Sequence, residues 1–163
     1  MTEIMVREAF PQDFQEVMRL SLAAASENAI SKPDISLLED EIKAGITHSG
    51  GAIGVIGGEP GEQLEGLIIL KLGSMWYNLD PIIHERVIYV DPEFRSAKGG
   101  RARKLAEWAK FTSEKLGIPL AIGVLSNSRT EAKVRLFERV FGAPAGVYFL
   151  HNAKTGLSEA KEG

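Results

Sequence analysis

The segment VIYVDPEFRSAKGGRARKL, residues 87–105, carries the densest chemistry in the chain. A strand-like apolar run ends at Asp91-Pro92. Arg95, Lys98 and Arg101 then surround the pair Gly99-Gly100, and an amphipathic helical pattern follows. The first N–H groups of a helix lack intrahelical partners, and the helix dipole adds a potential that favours a negative ligand there. Glycine removes the Cβ and lets a bulky phosphate approach the backbone. Arginine engages phosphate through a planar fork. The pattern suits a phosphate-bearing ligand better than a merely basic surface loop. Neither standard nucleotide fingerprint is present. AKGGRAR lacks the Lys-Ser or Lys-Thr of a P-loop, and no GxGxxG follows a strand.

Two proton-moving groups stand side by side at the head of this run, His84 and Glu85. An imidazole with an ordinary pKa of about 6.5 is a natural base at neutral pH. On a strand the two side chains face opposite sides, so only one of them can serve a given substrate. The other histidines, His48 and His151, fall at a helix end and in the tail. No histidine pair has metal-ligand spacing, and no metal is expected. The chain has no cysteine, which excludes disulfides, thiolate nucleophiles and cysteine-held metals. No serine–histidine arrangement suggests a covalent relay. Upstream, Trp76, Tyr77 and Asp80 lie in the stretch GSMWYNLDPI, where adjacent aromatics make either a pocket wall or a plug over the core.

The elements that must position these groups read as one α/β domain over residues 1–151, with a polar, frayed tail from 152 to 163. A strand starts at Ile4 and Val6, and a helix opens at Asp13 with an apolar stripe from Phe14 to Ala25. A second helix follows Pro33, with Ser36 and Glu39 spaced as a capping box. Strands are predicted over 52–58, 64–73, 85–90, 120–124 and 146–150, and helices over 99–116 and 130–140. The short connections among the first strands demand antiparallel pairing. The strand–helix–strand unit from 85 to 124 demands a parallel pair. A mixed sheet with helices on both faces satisfies both demands.

Among 163 residues, 44% are hydrophobic and 25% charged, with a formal net charge of −3, as in an ordinary globular chain. That charge argues against broad nucleic-acid or anionic-membrane binding, and no aromatic stacking ladder accompanies the basic residues. The sequence has no run of 18 apolar residues and no signal-peptide pattern, so a cytoplasmic protein without a membrane partner is expected.

The segment 87–105, set in this order of elements, resembles the cofactor-binding motif of the Gcn5-related N-acetyltransferase superfamily, and the chain resembles a divergent member. The family form is a strand, then V-x-P-x-x-[RQ]-x-x-G-x-[GA], then a helix. Val90, Pro92, Arg95 and Gly100 match it, while Lys98 replaces the first glycine. The resemblance implies a single-domain acyl-CoA N-acyltransferase fold with a splayed parallel strand pair, and acetyl-CoA as cofactor. It implies that Arg95, Lys98, Gly99, Gly100 and Arg101 hold the pyrophosphate. Backbone groups of Ile88 and Val90 would pair with the pantetheine arm like an added strand, and Asn127 would bond the same arm.

The implied reaction is direct attack of a primary amine, on a small molecule or a protein, upon the acetyl thioester. The amine must be neutral to attack, and the family often places its general base on the central strand, where Glu85 lies; His84 is the rival. Trp76, Tyr77 and Asp80 would line the acceptor pocket. The family's proton-donating tyrosine falls on Phe137, which cannot donate, and Tyr148 on the last strand is a substitute. The alternative is a noncatalytic acyl-CoA-binding or protein-interaction domain of the same fold. The chain is expected to be a monomer or a homodimer.

Overall fold

The computed structural model describes residues 3–95, 100–125 and 129–153. Its order is β1 (Arg7–Glu8), α1 (Phe14–Asn28), α2 (Ile35–Ile46), β2 (Gly51–Gly57), β3 (Leu64–Ser74), β4 (Pro81–Val90), α3 (Arg101–Leu116), β5 (Leu120–Ala121) and α4 (Thr130–Phe141). The strands lie side by side in chain order, all antiparallel except the parallel pair β4–β5. The alternation of apolar residues divides the sheet into two faces. Ile53, Val55, Leu67 and Ile69 pack under Val17 and Leu20 of α1 and Ile42 of α2. Ile56, Ile68, Leu70, Ile83 and Val90 pack against Leu105 and Ala109 of α3. Gly54 lets α3 come down flat, because a Cβ there would stand 2.7 Å from the Trp108 ring. Helix α4 lies along α3, with Lys110 Nζ donating to the Val140 carbonyl at 3.0 Å.

Three sequence expectations are corrected. The strand predicted over 146–150 forms no ladder: Val147, Tyr148 and Phe149 are 78%, 94% and 92% exposed. A strand needs a neighbouring edge, and β5 stops at Ala121 rather than at Val124, so the described residues offer none beside it. At the other end, the ladder of β1 holds only Arg7 and Glu8, while Ile4 and Val6 serve as apolar packing against the α3-side core. Helix α2 is capped by Asp34, whose side chain accepts from the Leu37 N–H at 3.0 Å. Ser36 therefore lies inside the helix and caps nothing.

One polar network ties α1 to the end of β4. Arg19 donates to Glu16 (2.8 and 2.9 Å), to Asp91 (2.9 Å) and to the Leu64 carbonyl (3.2 Å). Asp91 in turn accepts from the Glu93 N–H at 3.0 Å and so caps the short 3₁₀ turn Pro92–Phe94. Arg19 holds the carboxyls of Glu16 and Asp91 below their ordinary values of 4.5 and 3.8. A depressed carboxyl stabilises the fold fully above its unfolded pKa, and the stabilisation is lost as pH falls through the lower folded value. R19A should therefore flatten the fall in stability between about pH 5 and pH 2. Urea unfolding across that range tests this, and an unchanged slope would mean that the network contributes nothing.

Candidate active-site cleft

The cleft begins where the parallel pair ends. β4 and β5 meet only at Ile83 with Leu120 and His84 with Ala121, and the Ile83 N–H donates to the Pro119 carbonyl at 2.8 Å. On the β3 side the register passes from Leu70–Glu85 to Ile69–Val87, so Arg86 is an extra residue without a partner in β3. Past this bulge the Asp91 N–H donates to the Glu65 carbonyl at 2.9 Å. Backbone groups alternate along a strand, so those of Tyr89 and Asp91 face β3, and those of Ile88 and Val90 face the edge beyond β5. The segment 122–125 carries no strand, which leaves that edge of β4 unladdered among the described residues.

Glu85 sits at the fork. Its carboxylate accepts from the Gly123 N–H at 3.4 Å, so a side chain spans the gap where backbone pairing has stopped. Burial pushes this carboxyl up to about 7, against the opposing pull of that N–H. A carboxyl that titrates near neutrality is matched to accepting a proton at physiological pH. His84, one residue earlier, faces the other side of the sheet with its ring over Gly73, where a Cβ would stand 2.9 Å from its Cδ2. The structure thus keeps the two rivals apart.

Beyond β4 the capped turn delivers Arg95 back onto the strand. Its Nε donates to the Val90 carbonyl at 2.7 Å, Nη2 donates to Glu27 at 2.8 Å, and the guanidinium lies 4.9 Å from the centre of the Tyr89 ring. Burial and the neighbouring Glu27 push the Tyr89 phenol above its ordinary value. Gly100 adopts φ 62°, the left-handed region that favours glycine, and opens α3. The first bond of α3 runs from the Lys104 N–H to the Gly100 carbonyl at 3.0 Å, so the N–H groups of residues 101–103 precede the intrahelical ladder. Arg101 turns inward: it donates to Glu65 at 3.0 and 2.6 Å and to the Phe94 carbonyl at 3.3 Å. It ties the turn to β3 and keeps its guanidinium there. Lys98, Gly99 and Asn127 lie outside the described residues.

The aromatic loop between β3 and β4 is neither a plug nor a closed wall. Trp76 and Tyr77 meet edge to face at 5.5 Å and are 93% and 63% exposed. Asp80 is exposed too, its N–H donating to the Asn78 side chain at 3.2 Å. Phe137 packs edge to face on Phe141 at 6.0 Å, and Tyr148 stands in solvent. Among the described residues no cluster of acidic and histidine side chains could hold a metal, and no helix is long and apolar enough to cross a membrane.

Sequence reasoning passed over Glu27, Tyr89, Glu65, Asp91 and Arg19, which position the cleft. Acids on helices and strand edges look like solvated surface until their partners, 36 to 72 residues away, are placed beside them. Only the phenol of Tyr89, inside an otherwise apolar run, was a visible signal.

No family model and no curated protein matches the chain. Solved structures do. A possible acetyltransferase from Clostridium difficile 630 superposes with a TM-score of 0.64 at 17% identity, over 93% of this chain and 99% of the other. AAC(6')-Iy, in complex with the bisubstrate analogue CoA-S-monomethyl-acetylneamine, gives 0.68 at 13% identity, over 94% and 99%. The aminoglycoside acetyltransferase meta-AAC0020 from an uncultured soil metagenomic sample, in complex with trehalose, gives 0.64 at 14% identity, over 93% and 97%. A mixed five-stranded sheet between helices, opening at its one parallel pair, is the architecture that these enzymes share with it. The chain has the Gcn5-related N-acetyltransferase fold.

Proposed function

We propose that the chain is an acyltransferase that moves an acetyl group from acetyl-CoA to a primary amine. The observation that carries this reading is the fork between β4 and β5. A carboxyl shifted toward neutrality stands at its closed end, and a bare strand edge leads from it to a helix N-terminus. The edge fits an amide-bearing arm, because the Ile88 and Val90 backbone offers a donor and an acceptor in strand spacing. The far end fits a diphosphate through the N–H groups of residues 101–103 and Arg95. Lys98, Gly99 and Asn127 are assigned to the same ligand from the motif alone.

Acetyl-CoA, when bound, supplies the activated acyl carbon. The amine nitrogen bonds to that carbon as the carbon–sulfur bond breaks, and the electron pair leaves on sulfur. Glu85 accepts the proton that the amine must lose, directly or through a water it holds. Arg101 keeps the turn in place by its bonds to Glu65 and Phe94. The acceptor enters past the loop of Trp76, Tyr77 and Asp80, whose exposed aromatic faces and carboxylate suit a small cationic molecule or a protein amine. meta-AAC0020, also solved in complex with sisomicin, has such a small-molecule acceptor in its description as an aminoglycoside acetyltransferase.

Calorimetry with acetyl-CoA and with a pantetheine fragment lacking the nucleotide tests the assignment. R95A should weaken acetyl-CoA about tenfold, as expected for a lost charge-assisted phosphate contact, and the fragment hardly at all. Equal losses for both ligands would remove Arg95 from the phosphate site. Tight binding without transfer to any of a pool of amines would favour a noncatalytic acyl-CoA-binding domain. The apolar Phe137 at the family's tyrosine position is the observation on that side.

A further inference from the structure

Arg95 is more firmly held than a phosphate-binding arginine needs to be. Its guanidinium bonds the Val90 carbonyl at 2.7 Å and the Glu27 carboxylate at 2.8 Å, and stacks over Tyr89 at 4.9 Å. These contacts draw together the end of α1, the end of β4 and the turn before α3. Two of them compete with a ligand. The Val90 carbonyl belongs to the bare edge of β4, where an extended arm would place its own N–H donor. The Glu27 carboxylate occupies the fork that a diphosphate would claim.

Resting on the reading of the cleft as a CoA site, we infer that Glu27 is an internal competitor for the cofactor, latching Arg95 across the edge of β4 until a diphosphate exchanges with it. The exchange does not strand the Glu27 charge. The Tyr89 hydroxyl also bonds this carboxylate, and Lys133, near the start of α4, lies within its field. Glu27 and Arg95 are 31% and 37% exposed, so water reaches both, and the latch is weak enough to open. The same exchange frees the Val90 carbonyl. Phosphate binding at one end of the cleft is thereby coupled to strand-like pairing along it.

The test is a double-mutant cycle on CoA affinity and association rate, by calorimetry and stopped flow, on the full chain. E27Q keeps the side-chain shape and removes the ion pair. It should bind CoA about two- to fivefold more tightly than the wild type, because an ion pair this exposed is worth little more. In the R95A background the same change should alter affinity by less than the error, since no latch remains to release. If the wild type binds CoA and E27Q binds it equally or more weakly, the latch is wrong and the cofactor site stands. An equal gain in both backgrounds would make Glu27 a distant repulsive charge rather than a latch. Failure of every variant to bind CoA would overturn the cofactor reading and the latch with it. Thermal unfolding of E27Q separates a loss of fold from each of these.

Discussion

E85Q should lower the rate of acetyl transfer about 10²- to 10⁴-fold at neutral pH while leaving CoA affinity close to the wild-type value. The amide keeps the shape of the side chain and its place at the fork but cannot accept the acceptor's proton. Because burial lifts the Glu85 carboxyl to about 7, the wild-type rate should fall on the acid side with an apparent pKa near that value. E85Q should lose this acid limb, and its deficit should shrink as pH rises toward the pKa of the free amine. Stability offers a second reading with a defined sign. A carboxyl raised from 4.5 to about 7 resists ionisation in the fold, so stability should fall as pH climbs through that window. E85Q should abolish that fall. H84Q is the control, since its ring lies on the opposite side of the sheet over Gly73. Pre-steady-state transfer from acetyl-CoA, once pooled amines have yielded an acceptor, decides the matter. Wild-type transfer by E85Q at pH 7, with chemistry limiting, would leave His84 or bulk solvent as the base.

D13A should be the most destabilising single change away from the cleft, by about 2–4 kcal/mol. Asp13 has no accessible surface, and it accepts four hydrogen bonds. Arg7 donates two, at 2.8 and 3.1 Å, and the Phe10 and Gly61 N–H groups donate at 2.8 and 3.1 Å. Burial by itself would raise this carboxyl, yet Arg7 and the two backbone donors outweigh it and hold it below its ordinary value. Alanine removes every acceptor at once and leaves Arg7 and two N–H groups facing a void. Arg7 reaches solvent in part, which keeps the loss below that of a wholly buried pair. The midpoint of urea unfolding should drop with its slope unchanged, and transfer per folded molecule should stay at the wild-type level. A loss under 0.5 kcal/mol, the ordinary size for a surface position, would show that water replaces the lost acceptor.

What the sequence disclosed follows from how local each signal is. The stripe from Phe14 to Ala25 and the run from Val87 to Val90 gave α1 and the central strand, because a burial pattern is written residue by residue. Glu85 could be picked out since its position at the head of a buried strand is itself a local fact. Its altered proton affinity could not, because Gly123 and the surrounding burial arrive from elsewhere in the chain. Asp13 shows the same limit: it reads as a helix opener and does stand there, but its side chain bonds Arg7, Phe10 and Gly61 and leaves α1 uncapped. Arg101 looked like a phosphate ligand by type and spacing until Glu65 was seen to claim it. The segment 146–150 misled in the opposite direction: its β-branched and aromatic residues favour a strand, but no edge lies alongside to complete one.

The unpaired Arg86 has a consequence for which changes β4 can absorb. Ahead of it, Ile83 turns its backbone toward β5, and past it Ile88 and Val90 do so, which is a switch from odd to even numbering. What the edge offers is main chain, so exchanging isoleucine for valine at residue 88 leaves the presentation untouched. Removing one residue between Glu85 and Ile88 does not. The register with β3 could then be kept only by restoring plain alternation, and the groups now facing the cleft would face β3 instead. The strand behaves like a reading frame. It is forgiving of a changed letter, and it loses its meaning when one letter is dropped.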